Sequence, residues 1–319
     1  HEPDPEKLLE FLQEQGFNST IKRLAQRMEN IQTAPIAMPS TTETEIAQPQ
    51  TYEMVQGLDH LQKWINDAYE TGLLAIDTET TDLTPSKADL VGISLSTRAG
   101  NGCYIPLAHK NPQPVNESFD FGDTPAPTTE TADDLKQIPM QDALNALMPV
   151  LMDPSVMKIG QNIKYDLQIL MQHDVKVAPI DDTMLISYVL DGTQHGHGMD
   201  ELADLHLGRK TTKYSDICGK GKSQITFDYV PLDQATHYAA EDAEITLQLY
   251  NVLKPRLAQE QMMTVYETIE RPLIPVIAEM EFNGIKIDPS HLNEMSKNFA
   301  AKLLELEEEI HKMAGRSFN

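Results

Sequence analysis

Four apolar residues, Leu73-Leu74-Ala75-Ile76, run directly into Asp77-Thr78-Glu79-Thr80. Side chains alternate faces along a strand, so Asp77 and Glu79 point one way and Thr78 the other. Two carboxylates at that spacing repel unless a proton or cation sits between them. A hard divalent cation held by oxygen ligands removes the repulsion. A strand running out into an acidic turn fits the stretch equally well, and the rest of the chain must decide.

At 319 residues the chain is long enough for two to three folded units. Its 40% hydrophobic content is that of a globular protein. No run reaches the roughly 18 to 20 apolar residues of a membrane span, so no membrane role is expected. The acidic opening His1-Glu2-Pro3-Asp4 lacks the character of a secretory signal. Cys103 and Cys218 are far apart and show no metal-ligand spacing, which predicts a reduced, cytoplasmic setting. The net charge of -24 argues against nonspecific binding of nucleic acid, which depends on Lys and Arg. Bound metal can still draw phosphate into an acidic site.

Residues 5–30 carry apolar side chains at helical spacing, broken at Gly16-Phe17-Asn18-Ser19 into two short helices. Residues 31–50 hold three prolines and four threonines and read as a linker. From Tyr52 the pattern alternates. A strand at 52–55 precedes a helix carrying Leu58, Leu61, Trp64, Ile65 and Ala68, ended by Gly72. Three strands follow, ending at Asp77, Leu95 and Pro106, the later two as antiparallel neighbours of the first. Residues 111–139, with five prolines and six acidic residues, read as a surface insertion.

Further on, helices are expected over 141–152, 162–172, from Asp181-Asp182-Thr183 with one of the two aspartates as N-cap, and over 200–207. A long helix from Leu232 is expected to end at Pro255. Strand–helix alternation predicts an α/β domain over 51–256, a mixed sheet flanked by helices. Two helical patterns follow, separated by a turn and short strand at 283–288, the second running from Pro289 to about Ala314. A chain ending so soon after a long helix suggests a piece of a larger protein.

Three further places carry ligand-type residues: Asp166 near a helix start, and Tyr238 and Asp242 at i, i+4 on one helix face. Asp166 alone reads as a cap, Tyr238 alone as a half-buried helix residue, and Glu241 as solvated. Ala239, Ala240 and Ala243 let that helix lie close against the sheet. His195, His197 and His237 read as loop or packing residues. Lys220 and Lys222 lie in a Gly-Lys-Gly-Lys loop that either touches phosphate or is solvated, and it lacks the ending of a P-loop.

Taken in order, Asp-x-Glu, a helix-start Asp and Tyr-x-x-x-Asp resemble the three motifs of the DEDDy 3′–5′ exonucleases, a branch of the ribonuclease H-like superfamily. Residues 73–83, 158–170, 181–190, 218–227 and 236–249 also resemble the proofreading domain of bacterial family A DNA polymerases. Residues 1–30 resemble the C-terminal tail of that family's 5′-nuclease domain and 266–319 the segment entering its polymerase thumb, so 257–319 is expected to be the helical start of a polymerase domain. The linker at 31–50 and the insertion at 111–139 depart from the family and touch no motif residue.

The resemblance implies a ribonuclease H-like fold and hydrolysis of DNA from single-stranded 3′ ends, such as a frayed primer terminus. It implies two Mg²⁺ or Mn²⁺ ions, with Asp77, Glu79 and Asp242 on the first. Asp77 would also bind the second, and Asp166 would help hold it. Tyr238 and Glu79 would orient the attacking water, and Leu83, Gln161, Asn162 and Tyr165 would contact the terminal nucleotides. It further implies a monomeric bacterial protein, on the nucleoid when engaged with DNA, whose isolated fragment binds DNA weakly and through metal. A ribonuclease D-like exoribonuclease shares the motifs, and a silent spacer or DNA-binding domain is the reading from another class. Family members that have lost editing lack the carboxylates, all four of which are present here.

Overall fold

The computed structural model describes residues 7, 8, 11, 12, 50–111, 135–221 and 224–317. Most of the expected N-terminal helices, all of the 31–50 linker but its last residue, and most of the 111–139 insertion lie outside them. Two compact units result, one reaching Glu279 and one comprising Met280–Asn319.

The first unit is built on six strands: β1 (Thr51–Met54), β2 (Leu73–Thr80), β3 (Leu90–Arg98), β4 (Asn101–Pro106), β5 (Met157–Gly160) and β6 (Ile180–Asp182). Their order is β1-β4-β3-β2-β5-β6. The β2, β3 and β4 strands form an antiparallel meander, while β1, β5 and β6 each join their neighbour in parallel. The sheet is therefore mixed, as the alternating pattern predicts. The sequence reading had no strand at β6. It is three residues long, too short for alternation to register, and pairs only through its backbone with β5.

Helices cover both faces. On one lie α1 (Leu58–Thr71), α2 (Met140–Met152) and α3 (Lys164–Met171), burying Leu61, Trp64, Leu144, Leu147 and Leu167 against Leu74, Ile76, Ile93, Leu95 and Ile105. Burying each such side chain contributes on the order of 1.5–3 kcal/mol. The Lys158 side chain is fully buried at the foot of α2, where its Nζ donates to the carbonyls of Val150, Asp153 and Val156 at 3.4, 2.8 and 2.6 Å. It thus serves carbonyls at and just beyond that helix end, where orphan C=O groups need donors.

Three shorter helices follow, α4 (Thr183–Asp191), α5 (Met199–Leu207) and α6 (Tyr214–Ile217), and then the long α7 (Leu232–Gln259) along the opposite face of the sheet. Close approach of α7 depends on small residues, as the alanine spacing suggests. A Cβ on Gly102 of β4 would stand 2.5 Å from the Ala240 carbonyl oxygen, so that position has room for glycine alone. Contrary to the sequence reading, α7 runs through Pro255 for another turn. The N–H that proline lacks would have gone to Asn251, which faces solvent, so water can satisfy that carbonyl. Leu253 and Leu257, both fully buried against Ile186, Leu190 and Leu202, hold the turn in place.

After α7 come a short turn α8 (Met263–Val265), a wide π turn at Tyr266–Glu270, and α9 (Arg271–Asn283). The second unit contains α10 (Pro289–Ala314), capped by the Asp288 carboxylate, which accepts from the Ser290 and His291 amides at 2.9 and 3.2 Å. Gly315 closes it at φ 68°. No strand forms at 285–288; among the described residues no neighbouring chain segment pairs with it.

Candidate active site

The alternation of β2 divides the chemistry between two faces. Leu74 and Ile76 enter the core beneath α1 and α2, whereas Ala75 packs with Leu247 of α7. Asp77 and Glu79 share the face of Ala75 and so meet α7, on which Asp242 lies one turn beyond Tyr238. Carboxylate oxygens of Asp77, Glu79 and Asp242 lie within 4.8 Å of one another.

Thr78 faces the other way and anchors the fourth acid. Its amide and hydroxyl donate to Asp166 Oδ1 at 2.9 and 2.6 Å. Asp166 therefore does not cap α3; it reaches across to the sheet and is 2% exposed.

These side chains open onto a cleft of about 790 Å³. All nine residues singled out in the sequence line it: Asp77, Glu79, Leu83, Gln161, Asn162, Tyr165, Asp166, Tyr238 and Asp242. Among the described residues no basic side chain does. Lys222 lies outside the described residues; Gly221, Gln224, Ile225 and Thr226 of the same loop form one rim. Leu83 is 89% exposed at the edge. The Tyr165 hydroxyl donates to the Asp82 carbonyl at 2.5 Å and bonds the Thr80 hydroxyl, which ties α3 to the turn after β2. Gln161 is engaged at both ends of its amide: Nε2 donates to the His197 carbonyl at 2.7 Å, and Oε1 accepts from Thr183.

Asp182 is a second scaffold carboxylate whose reach exceeds the expected N-cap. It accepts from the Met184 and Leu185 amides of α4, and also from the Asn162 and Ile163 amides at 3.2 and 2.9 Å. Asn162 sits at φ 62°, a left-handed conformation that asparagine tolerates. One buried carboxylate thus fixes the turn that presents Gln161 and Asn162 to the cleft. Tyr238 is walled in by aromatic rings, Phe227 at 5.9 Å and Tyr214 at 6.4 Å between centroids. Tyr214 also lines the cleft.

Glu241 departs from the solvated reading. It is 5% exposed, accepts from the Thr212 amide at 2.8 Å and lies 3.7 Å from Arg209. His197 and His237 pack, as expected: His197 bonds Ser187 and the Gly192 carbonyl, and His237 stands edge-on to Tyr52.

The electrostatics are those of unneutralised charge. Burial, opposed by the Thr78 amide, pushes the Asp77 carboxyl up to about 7. Burial also raises Glu79 well above its ordinary range, reinforced by Asp77, Asp242 and Asp166. Asp166 and Asp242 are raised for the same two reasons, burial first and the Asp77 charge second. Burial and then the Asp242 charge raise the Tyr238 hydroxyl, so it remains protonated. Glu79 Oε1 is buried and makes no hydrogen bond. An acceptor left bare among like charges, beside only oxygen donors, fits a divalent cation that prefers oxygen ligands.

A carboxyl whose pKa rises on folding destabilises the fold as pH climbs from its unfolded value through its folded one. Glu79→Gln is therefore expected to stabilise the metal-free protein at pH 8 by roughly 1–3 kcal/mol, the usual scale of an uncompensated buried polar group. Little change is expected near pH 4.5. Thermal melts in chelator at the two pH values check this; equal destabilisation at both would contradict it.

A mixed sheet of this order, with acidic side chains gathered at the end of an inner strand, is a ribonuclease H-like fold. The chain belongs to the 3′–5′ exonuclease family, which it matches over residues 52–258. It is 45% identical over 277 residues to DNA polymerase I of Rhizobium leguminosarum, covering 84% of this chain and 26% of that protein. It is 34% identical over 322 residues to DNA polymerase I of Pseudomonas aeruginosa, covering 100% of this chain and 32% of that one. The chain thus spans between a quarter and a third of the length of these relatives. The solved POL domain of Pol1 from M. smegmatis, in complex with DNA primer-template and dNTP, superposes with a TM-score of 0.61. It is 19% identical and covers 84% of this chain and 38% of that one. No helix among the described residues is long and apolar enough to cross a membrane.

Proposed function

We propose that this chain is the editing part of a DNA-directed DNA polymerase serving replication and repair, trimming nucleotides from single-stranded DNA 3′ ends such as a frayed primer terminus. One observation carries the reading: three carboxylates, that of Glu79 buried, converge within 4.8 Å, with Asp166 beside them and no basic side chain among the described residues of the cleft. Asp77, Glu79 and Asp242 would hold one Mg²⁺ or Mn²⁺, and Asp77 with Asp166 a second. Bound there, the two ions would stabilise charge on the attacking and leaving oxygens and supply hydroxide at neutral pH.

The chain's own groups do the rest. Tyr238, kept protonated, donates a hydrogen bond to the attacking water, and Glu79 accepts one from it. Thr78 fixes the Asp166 carboxylate so that it does not collapse onto Asp77. Exposed Leu83 and the Tyr165 ring offer apolar faces to terminal bases, and base stacking of this kind tolerates any sequence. Gln161 and Asn162, on the turn held by Asp182, also line the cleft.

In this reading residues 1–30 end a 5′-nuclease domain, 31–50 link it, 51–256 form the exonuclease domain and 257–319 begin the polymerase domain. The chain is a cytoplasmic monomer that binds DNA weakly without metal. The test is digestion of 5′-labelled single-stranded DNA and RNA with Mg²⁺ or with chelator. Stepwise shortening of DNA from the 3′ end, lost in chelator, is expected. Preference for RNA would instead indicate a ribonuclease D-like enzyme, and no shortening of either a silent domain.

A further inference from the structure

The connection between α4 and α5 carries a second cluster of ligand-type side chains, outside the cleft. Asp191 ends α4, His195 follows in the loop, and His206 lies in the last turn of α5. One ligand atom from each lies within 4.8 Å of the other two. None of the three lines the carboxylate cleft.

The hydrogen bonding around the cluster is incomplete. His195 Nδ1 donates to the Gly196 carbonyl at 2.6 Å, which fixes the proton on that nitrogen. In the neutral ring Nε2 is then a bare lone pair. It is buried and makes no hydrogen bond, although it stands 3.4 Å from Asp191 Oδ2, itself an acceptor. His206 Nε2 is likewise buried without a hydrogen bond. One ligand atom from each residue thus shares a small space, and for the neutral rings no hydrogen bond serves either Nε2; Asp191 Oδ2 pairs with His195 only if that ring carries a second proton. A ligating histidine ordinarily donates its other N–H to a carbonyl, the arrangement His195 has. The 3.4 Å separation also equals the edge of a tetrahedron with metal–ligand bonds of about 2.0–2.1 Å, near 3.3–3.4 Å.

Charge decides which metal. Arg256 clamps Asp191 from behind, Nη2 on Oδ1 at 2.8 Å and Nη1 on Oδ2 at 3.1 Å. Asp191 and Arg256 together are close to neutral, so the cluster has little charge with which to attract Mg²⁺. What it offers is imidazole nitrogen, which suits Zn²⁺ and its neighbours.

We propose that Asp191, His195 and His206 form a structural site for one Zn²⁺-class ion, with water or solvent at the fourth position. The ion would tie the end of α4 to the end of α5 across the 192–198 loop. His197 of that loop bonds Ser187 and Gly192 through its ring and accepts from Gln161 through its carbonyl, so the tie would reach the cleft wall. His197 has both ring nitrogens engaged and takes no part as a ligand.

The experiment uses the full chain carrying Asp77→Ala, which weakens the carboxylate cleft as a competing Zn²⁺ site. Zn²⁺ is titrated against a chromophoric chelator, and the histidine ring nitrogens are followed by ¹⁵N–¹H correlation spectra. One equivalent is expected to bind, moving the Nε2 signals of His195 and His206 to metal-bound shifts while leaving His197 unmoved. Mg²⁺ should move none of them. His195→Asn and His206→Asn should each weaken the binding at least tenfold, with thermal melts in chelator confirming that both variants fold. Unmoved ring signals in the parent chain would overturn the proposal whether or not the variants fold. So would a spectrum showing His195 doubly protonated against Asp191 in the presence of Zn²⁺, or Zn²⁺ affinity indifferent to both substitutions.

Discussion

Alanine at position 77 is expected to slow 3′-end trimming by ~10³-fold or more while leaving the fold intact. The basis is the place of Asp77 among the acids. Next to burial, its charge is the largest influence raising Glu79, Asp166 and Asp242. In the proposed two-ion site it is the side chain that both cations would share. Charge stabilisation by bound metal is worth several kcal/mol at the transition state. At 1.36 kcal/mol per tenfold, losing it gives ~10³ or more. The rate is measured on 5′-labelled single-stranded DNA at saturating Mg²⁺. Thermal melts in chelator separate chemistry from stability, because removing a charge from this cluster should hold or raise the midpoint. A loss of less than tenfold would remove Asp77 from the centre of the site.

The carboxylates were legible because local periodicity fixes their directions. Spacing i, i+2 on a strand and i, i+4 on a helix each put two groups on one face, whatever the rest of the chain does. Asp77 with Glu79 and Tyr238 with Asp242 follow from that alone. That the two faces meet is a fact of topology, implied only by the resemblance in motif order. Ala239, Ala240 and Ala243 gave a further hint of close approach, whereas the part of Gly102, whose backbone meets that of Ala240, shows only in the fold.

What could not be read depends on docking between distant segments. Thr78 is the residue between two motif acids, and its partner Asp166 lies 88 positions away. Asp182 reads as an ordinary N-cap, and nothing local shows that it also holds the Asn162 turn 20 residues upstream. Glu241 reads as solvated because helical spacing gives its angle around α7 but not the identity of its neighbours. Arg209 and the Thr212 amide, which make its burial tolerable, come from the segment after α5. Pro255 shows the converse. A strong local stop signal lost to the buried leucines on either side of it and to a carbonyl that water can reach.

Asp181 is where the largest stability effect is expected. Its side chain is fully buried, and four groups converge on it: Lys254 at 2.9 Å, Arg271 at 3.3 Å, and the hydroxyls of Tyr250 and Tyr266, each at 3.0 Å. The donors come from α7, the π turn and α9, so one carboxylate in the middle of β6 gathers the C-terminal part of the first unit onto the sheet edge. Replacing both sides of such a network by apolar groups can be neutral, but removing one partner leaves charges and donors unmatched. Asp181→Ala is therefore expected to cost about 3–5 kcal/mol, the range for breaking a buried pair. Lys254 and Arg271 keep 21% and 30% of their side chains in water, which places the cost towards the lower end. The Tyr266 hydroxyl has no such relief: it also accepts from the Asp182 amide at 3.0 Å and loses its own acceptor. Because Asp182 fixes the Asn162 turn, the damage should extend to the cleft. Urea denaturation at pH 7 measures the loss. Hydrogen exchange should show the amides of β6 and of the 162–163 turn losing protection together, ahead of those in β3. Asp181→Asn, which keeps acceptor capacity without the charge, is expected to recover part of the stability; equal loss in both variants would assign the whole effect to the ion pairs and none to the tyrosine hydroxyls.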